Sequence, residues 1–351
     1  AGWPRWGESG ADWKWVGHRG MGKKLTVELP ENTIGSVCAL LPEVRDVEID
    51  VQMTKCGTVV VFHNFTAYDG RAIYERTLTE WRDEHPRALE HDGFPSPPPH
   101  ALADVLAHCA CDPATAWRAL PTLAELLAQV PDSVTLNVEL KYPHPDMHLP
   151  FPDRNTFVSA VLAVFAAARP RAASTAFSSF DADACLILRA ALGPAAPHPV
   201  YILACNNDDD DVDPLDPRTV APATVADFAL WARLDGVCLW ASKLHGPAAP
   251  FAADPAHLAA AAGAVTSRGL ALASYGADNS DPEMVARLVA AGVRRVIADG
   301  APAVAREFAR RVRLAGGEGA GEVVLEFGEA WANSLEAQAV MVKASDAAGG
   351  L

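Results

Sequence analysis

Short runs of apolar, often β-branched residues alternate with longer Ala- and Leu-rich stretches along most of the chain. Strand-like runs followed by helical stretches are the pattern of βα units, whose strands pair in parallel. Eight such runs predict strands at residues 15–18, 47–51, 134–140, 174–178, 200–203, 236–239, 270–274 and 295–298. The intervening stretches predict helices at residues 32–41, 122–129, 155–168, 182–191, 224–232, 255–267 and 282–291, and one more from residue 301 onward. Eight alternations predict an α/β fold of the TIM (β/α)8 barrel type.

A ninth apolar run, residues 59–62, interrupts this alternation because only seven residues separate it from the second strand. A parallel crossover needs a dozen or more residues, so this run is predicted to fold back as an antiparallel hairpin. With the turn centred on Cys56, residue i lies opposite residue 112 − i. This register places Asp50 near Phe62 and brings His63 beside the acidic residues of the second strand.

The barrel is predicted to span residues 15–315, and three segments are predicted to be additions to it. Residues 1–14 form an N-terminal extension. Residues 64–120 contain the Pro-rich patch GFPSPPPH and form an insertion after strand two, where a loop of this length is usually functional or disordered. Residues 316–351 begin with GGEGAG and form a linker and a C-terminal tail, which is a candidate docking element for a protein partner.

Composition narrows the class of protein. The chain has 351 residues, of which 50% are hydrophobic and 21% charged, as in folded globular proteins. The formal net charge is −15, which argues against nucleic acid or an anionic membrane surface as a nonspecific partner. An anionic small-molecule substrate would therefore need a local group of positive charges.

The cysteines and the absence of a long apolar run bear on the compartment. Seven cysteines without a framework spacing favour reduced thiols, and no run of 18 apolar residues predicts a transmembrane segment. Together these features predict a cytoplasmic protein. The chain begins at Ala1 rather than Met, so a processed N-terminus and an organelle are the alternative.

The predicted strand ends carry a group of chemically active side chains. In a barrel of this kind, reactive residues lie at the C-terminal ends of the strands. Glu48 and Asp50 are two apart on one strand and point to the same face, and Glu139 and Lys141 repeat this spacing on the next parallel strand. Carboxylates that face one lumen favour one divalent cation, Mg²⁺ or Ca²⁺. The alternative is that a carboxylate merely pairs with Lys141 or Arg19.

Two histidines belong to the same strand ends. His18 ends strand one and His63 follows the hairpin on strand two, so their imidazoles are suited to act as acid and base near neutral pH. Arg19 adds a planar cation that matches the geometry of a phosphate. A metal, two histidines, an Arg and a Lys around one lumen indicate phosphodiester chemistry.

Several ordered motifs resemble the glycerophosphodiester phosphodiesterase family: HRG at 18–20, ENT at 31–33, VEIDVQMT at 47–54, VVVFHN at 59–64 and ELK at 139–141. The longer runs HRGMGK, VELKYP, FSSFDADACLILR and SYGADNSDPEMVARLVAAGV resemble its eukaryotic glycerophosphocholine phosphodiesterase branch. The resemblance covers about residues 15 to 300.

This resemblance implies a TIM barrel that hydrolyses glycerophosphodiesters to sn-glycerol 3-phosphate and an alcohol. It also implies a metal site at Glu48, Asp50 and Glu139, an acid/base pair of His18 and His63, and phosphate contacts from Arg19 and Lys141. The glycerol 2-hydroxyl as first nucleophile, through a cyclic phosphate, and direct hydrolysis are both open.

Two positions depart from the family pattern, and a third has two possible roles. The His-Asp pair common in the family is His63-Asn64 here, which removes a carboxylate beside the imidazole and is consistent with slower turnover. Tyr275 stands where the family pattern predicts Trp, and is either a face for a choline cation or a packing residue. Asn32 either caps the first helix or lines the site to contact the substrate.

Three functions follow from these patterns. The leading one is a metal-dependent hydrolase of glycerophosphodiesters such as glycerophosphocholine. A second is a phospholipase D-like activity on lysophospholipids, with the insertion as a lid. A third is a catalytically impaired barrel that serves as a binding or structural subunit, for which Asn64 and Tyr275 would be the signs.

Overall fold

Nine strands form one sheet in the computed structural model, which describes residues 13–22, 29–83, 116, 120–168, 175–193, 196–204, 216–245 and 254–315. The strands are β1 (Lys14–Gly17), β2 (Asp46–Met53), β3 (Val59–Val61), β4 (Thr135–Leu140), β5 (Thr175–Ser179), β6 (Val200–Ala204), β7 (Gly236–Trp240), β8 (Ala271–Tyr275) and β9 (Arg295–Ala298). Neighbouring strands pair in parallel from β2 through β4 to β9 and β1, and β1 pairs with β2. The predicted eight-stranded barrel is confirmed.

Helices follow the barrel strands along the chain. They are α1 (Ile34–Cys38), α2 (Leu78–Asp83), α3 (Leu123–Gln129), α4 (Arg154–Ala167), α5 (Ala182–Leu192), α6 (Pro222–Trp231), α7 (Ala241–His245), α8 (Pro255–Thr266), α9 (Pro282–Ala290) and α10 (Ala301–Ala315), with 3-10 turns at Ile73–Glu75, Pro145–Met147 and Ala277–Ser280. Four of the helices start after an aspartate whose carboxylate accepts a hydrogen bond from the first turn: Asp153, Asp181, Asp254 and Asp281.

The predicted hairpin of β2 and β3 is confirmed in register. Val51 lies opposite Val61 and Met53 opposite Val59, so the paired residue numbers sum to 112 as expected. The turn closes through Gly57, whose φ of +80° is a conformation that L side chains rarely adopt. The backbone N–H of Phe62 donates to the carbonyl of Asp50 at 3.0 Å, which carries the next residues back over the barrel mouth.

Alternation along the strands separates the apolar core from the polar interior. On β2, Val47, Ile49 and Val51 point outward into the large core shared with the helices, while Glu48 and Asp50 point into the barrel. A second apolar cluster fills the other side of the interior and consists of Val16, Phe180, Leu203, Cys238, Ala273 and Ile297, with Tyr275 packed against it.

The first helix differs from the prediction. It spans only Ile34–Cys38, and its N-cap is Thr33, whose hydroxyl accepts from the N–H of Ser36 at 3.1 Å. Asn32 does not cap the helix because its φ of +58° lies in the left-handed region, and its N–H donates to the carbonyl of Arg19 at 2.9 Å. The chain therefore turns at Asn32 and carries this side chain toward β2.

The described part of the predicted insertion has a small core of its own. Trp81 and Ile73 are fully buried with Val60 of β3, and Phe62 packs edge-on against Trp81 at 4.9 Å. The rest of the insertion except Ala116 and Leu120, the extension up to residue 12 and the tail lie outside the described residues, so the predicted boundaries stay predictions. Cys38, Cys56, Cys185 and Cys238 are present as thiols rather than disulfides.

Candidate active site

Three carboxylates meet at the mouth of the barrel. Glu48 and Asp50 come from β2 and Glu139 from β4, where Asp50 and Glu139 are register partners. One oxygen from each lies within 4.8 Å of the others, and all three side chains are buried. Their placement follows from the inward alternation of two neighbouring parallel strands, so the sequence prediction that brings them to one lumen agrees with the structure.

The carboxylate cluster fits a divalent cation. The Oε1 atom of Glu48 is buried and has no hydrogen-bond partner among the residues described. Burial, together with the charges of Asp50 and Glu139, raises the pKa of Glu48 well above its usual value. A cation bound between these oxygens would remove both penalties, and a donor set of carboxylates alone suits Mg²⁺ or Ca²⁺.

Two basic side chains flank the cluster. Lys141 Nζ lies 3.2 Å from Glu139 Oε1 and 3.9 Å from Asp50 Oδ1, and Arg19 Nε lies 3.3 Å from Asp50 Oδ2. Although burial favours the neutral acid, His63, Arg19 and Lys141 hold the pKa of Asp50 below its usual range. The carboxylates are therefore ion-paired with Lys141 and Arg19, as the alternative predicted. Two cations do not neutralise three carboxylates, so the cluster can still accept a further positive charge.

Arg19 is held by its backbone as well as by its side chain. Its φ is +51°, and in this conformation its N–H donates to Glu48 Oε2 at 3.0 Å while its guanidinium donates to Glu31 Oε1 at 2.9 Å. Burial opposes the charge of the guanidinium, but the carboxylates of Asp50, Glu31 and Glu48 outweigh it and raise the pKa of Arg19. The guanidinium is therefore a fixed positive charge at the mouth.

The side-chain amide of Asn32 forms two hydrogen bonds with Asp50. Its Nδ2 donates to Asp50 Oδ2 at 2.8 Å, and its Oδ1 accepts from the backbone N–H of Asp50 at 3.1 Å. Both ends of the amide therefore orient this carboxylate. The predicted contact of Asn32 with the substrate stays a prediction.

His63 lies on the segment that follows β3. Its Nδ1 lies 2.9 Å from Asn64 Oδ1, so Nδ1 is the donor and Nε2 carries the lone pair when the ring is neutral. Burial and the nearby charge of Lys141 lower the pKa of His63 well below its usual value. Gln52, which the motifs did not single out, fixes this segment by donating from Nε2 to Asn64 O at 2.7 Å and Phe62 O at 3.0 Å.

His18 extends from the end of β1 toward the same mouth. Its Nδ1 lies 2.6 Å from Oδ1 of Asp299, which follows β9. The motifs did not single out Asp299, although alternation after Ile297 places it on the interior face. Glu31, the partner of Arg19, was visible in sequence only as part of the ENT motif.

The opposite side of the mouth is apolar. The ring of Tyr275 packs edge-on against Phe180 at 5.6 Å, and its hydroxyl lies 3.4 Å from Ala204 O. Tyr275 lies beside Trp240, its register partner on β7, and both rings are half-buried. Tyr275 therefore packs against the apolar side of the mouth and leaves part of its ring exposed. Its contact with a choline cation stays a prediction.

Comparison with known proteins places this geometry in a family. Residues 18–301 match the model of the glycerophosphoryl diester phosphodiesterase family. The chain belongs to this family. The resemblance stated from the motifs is therefore confirmed, and with it the assignment to a family of phosphodiesterases.

Individual relatives agree with this family and with its eukaryotic branch. The chain is 28% identical to a glycerophosphocholine phosphodiesterase of Schizosaccharomyces pombe over 83% of this chain and 28% of that protein. It is 25% identical to a glycerophosphocholine phosphodiesterase of Rattus norvegicus over 81% of this chain and 43% of that protein. The chain thus spans less than half the length of these two relatives.

A solved structure supports the fold. A phosphodiesterase of Oleispira antarctica, in complex with the product sn-glycerol-3-phosphate, superposes with a TM-score of 0.54 at 17% identity. The alignment covers 84% of this chain and 96% of that one.

The helices were also compared with the dimensions of a lipid bilayer. Among the helices described, none has both the length and the apolar composition that a membrane-spanning segment requires.

Proposed function

We propose that this domain hydrolyses glycerophosphodiesters, glycerophosphocholine among them, to sn-glycerol 3-phosphate and an alcohol. The observation that carries the proposal is the buried cluster of Glu48, Asp50 and Glu139, whose oxygens lie within 4.8 Å of one another between Arg19 and Lys141. An anionic phosphodiester is attracted to such a site only if positive charge dominates at its mouth, and a divalent ion bound there would supply that excess together with the two cations.

The proposal assigns a chemical role to each basic and imidazole side chain of the site. The guanidinium of Arg19 and the ammonium of Lys141 hold the non-bridging phosphate oxygens and offset the charge that develops on them. One imidazole of the pair His18 and His63 takes the proton of the attacking group, which is water or the glycerol 2-hydroxyl, and the other gives a proton to the leaving alcohol oxygen. If the 2-hydroxyl attacks, water then opens the cyclic phosphate to give sn-glycerol 3-phosphate. A divalent cation at the carboxylate cluster would supply Lewis-acid stabilisation of the phosphate charge.

The relatives support the substrate class. The proteins of S. pombe and R. norvegicus are named glycerophosphocholine phosphodiesterases, and the O. antarctica structure holds sn-glycerol-3-phosphate. Because the chain spans less than half of the two named relatives, the activity of this chain remains our proposal.

The apolar side of the mouth favours a choline head group. The half-buried ring of Tyr275, supported by Phe180, offers a π surface to a quaternary ammonium ion. The ring of Trp240 beside it already has the ammonium of Lys243 at 5.9 Å from its centroid. The same surface fits the apolar part of a lysophospholipid, which makes a phospholipase D-like activity the second candidate. Turnover of glycerophosphocholine compared with lysophosphatidylcholine, each measured as released choline, separates the two.

The experiment is choline release by the purified chain from glycerophosphocholine. We expect turnover that EDTA abolishes and Mg²⁺ or Ca²⁺ restores, and a loss of at least about a hundredfold in His18→Ala and Glu48→Gln. His257→Ala, at an exposed position on α8, is the matched control and should retain activity. Activity that persists unchanged in both site variants would refute the proposal.

The same measurements address the third candidate, the catalytically impaired barrel. Cation binding at the carboxylate cluster without turnover of either choline ester would favour it. Only in that case would a docking role of residues 316–351 become the leading proposal for this chain.

A further inference from the structure

The end of β9 brings an aspartate against the first histidine of the site. Ala298 pairs with Gly17, and the N–H of His18 donates to Ala298 O at 3.1 Å, so the next residues, His18 and Asp299, lie side by side. Both point into the barrel because they continue the inward alternation of Val16 and Ile297. Their side chains are 25% and 24% exposed, and Nδ1 of the histidine lies 2.6 Å from the carboxylate oxygen.

The backbone after His18 is shaped around this carboxylate. A Cβ on Gly22 would lie 2.3 Å from Asp299 Oδ1 and 2.7 Å from its Cα, and Gly22 has a φ of +78°. The N–H of Gly300 donates to Met21 O at 2.9 Å, which closes the segment over Asp299. This close approach needs glycine, so the HRGMG motif serves the contact between Asp299 and His18 as well as the turn itself.

The hydrogen bond determines which nitrogen of His18 can react. A carboxylate is an acceptor, so Nδ1 carries the proton in the neutral ring, and Nε2 is left with the lone pair. His63 is held differently, because its Nδ1 donates to the neutral amide oxygen of Asn64. A carboxylate stabilises an imidazolium better than an amide does, so the two histidines are not equivalent.

We propose that Asp299 is a positioning residue for His18. This inference rests on the function proposed above. Its carboxylate fixes the Nδ1–H tautomer and the ring orientation. It also stabilises the ring while Nε2 holds the proton that it takes from the attacking hydroxyl or gives to the leaving oxygen. No atom of Asp299 needs to touch the substrate.

Asp299→Asn is the decisive variant, and Asp235→Asn is its matched control. Asp235 also binds a basic side chain, Arg189, and a backbone N–H, but it lies before β7, at the opposite end of the barrel. We expect kcat for choline release to fall by about 10²–10⁴ in Asp299→Asn, with KM within about threefold. The control should keep both constants, and a kcat within about threefold of the unmodified protein in Asp299→Asn would overturn the inference.

Two further readouts separate positioning from structural support. In the unmodified protein, ¹⁵N NMR of His18 should show a protonated Nδ1 and an unprotonated Nε2. An unprotonated Nδ1 in the unmodified protein would contradict the inference even if the variant fails to fold. Adding Asn64→Asp to Asp299→Asn should not restore kcat, and full rescue would show that the carboxylate does not act specifically through His18.

The two proposals can fail separately. If the unmodified protein turns over no glycerophosphodiester, the proposed function fails while the NMR measurement still tests the tautomer. If the protein is active and Asp299→Asn equally so, the function stands and the positioning role is refuted.

Discussion

His245 at the end of α7 is expected to make the fold acid-sensitive. Its ring is fully buried, and neither ring nitrogen has a hydrogen-bond partner among the described residues. Burial lowers its pKa from 6.5 to about 4, with Arg287 acting in the same direction and the carboxylates of Asp278 and Asp281 opposing it. Protonation therefore places a charge on a buried ring that no hydrogen bond from the described residues stabilises.

The sign and size follow from proton linkage. Because the folded-state pKa lies below the unfolded value, the unfolded chain binds the proton first as the pH falls. The stabilisation that the neutral, buried His245 ring contributes is complete above pH 6.5 and is lost as the pH falls through that value toward about 4. With 1.36 kcal/mol for each pKa unit, His245 alone should cost about 2–3 kcal/mol of unfolding free energy between pH 7.5 and pH 4.5.

The assay is equilibrium urea unfolding of the unmodified protein and His245→Leu at both pH values. Carboxylates titrate in the same interval, so the informative quantity is the difference in unfolding free energy between the two proteins. We expect this difference to move by about 2–3 kcal/mol in favour of the variant at the lower pH. His257→Leu on the exposed face of α8 controls for the loss of an imidazole, and a difference at His245 that stays constant within about 0.5 kcal/mol would refute the reasoning.

Three other outcomes are expected. Gly276→Ala should lower stability by about 1–3 kcal/mol in thermal unfolding, because φ is +112° and the new Cβ would lie 2.6 Å from Trp240 Cδ1; an unchanged Tm would contradict this. Arg19→Lys should lower kcat/KM for choline release at least about tenfold, since an ammonium cannot reach Glu31 and the phosphate as a planar fork does; equal kcat/KM would count against the role of Arg19. Mg²⁺ or Ca²⁺ should raise the Tm of the unmodified protein but not of Glu48→Gln, and an equal shift in both would place the cation elsewhere.

Much of the site was predictable because it depends on local periodicity. Glu48 and Asp50 share a face by the two-residue repeat of a strand, and so do Glu139 and Lys141. Seven residues cannot make a parallel crossover, which forced the hairpin and placed His63 over the second strand. These inferences needed only the geometry of one strand or one turn.

The contacts that complete the site could not be predicted in this way. Asp299 meets His18 across 281 positions of sequence, because closure of the barrel makes the last strand a neighbour of the first. Asn32 was ambiguous in sequence because a residue before a helix can serve either as a cap or as a ligand, and only its left-handed backbone decides between them.

Local patterns in the chain specify the eight βα units, the hairpin, the inward-facing carboxylates and, through the motifs, the family. They suffice because alternation and turn length are properties of neighbouring residues. The partner of each side chain, in contrast, is visible only in the folded barrel. Glu31 binds Arg19, Asn32 binds Asp50, Asp299 binds His18, and His245 is left without a hydrogen bond in the described part of the chain. Such pairings arise where the closed barrel brings distant strand ends together, and no local pattern records which side chains then meet.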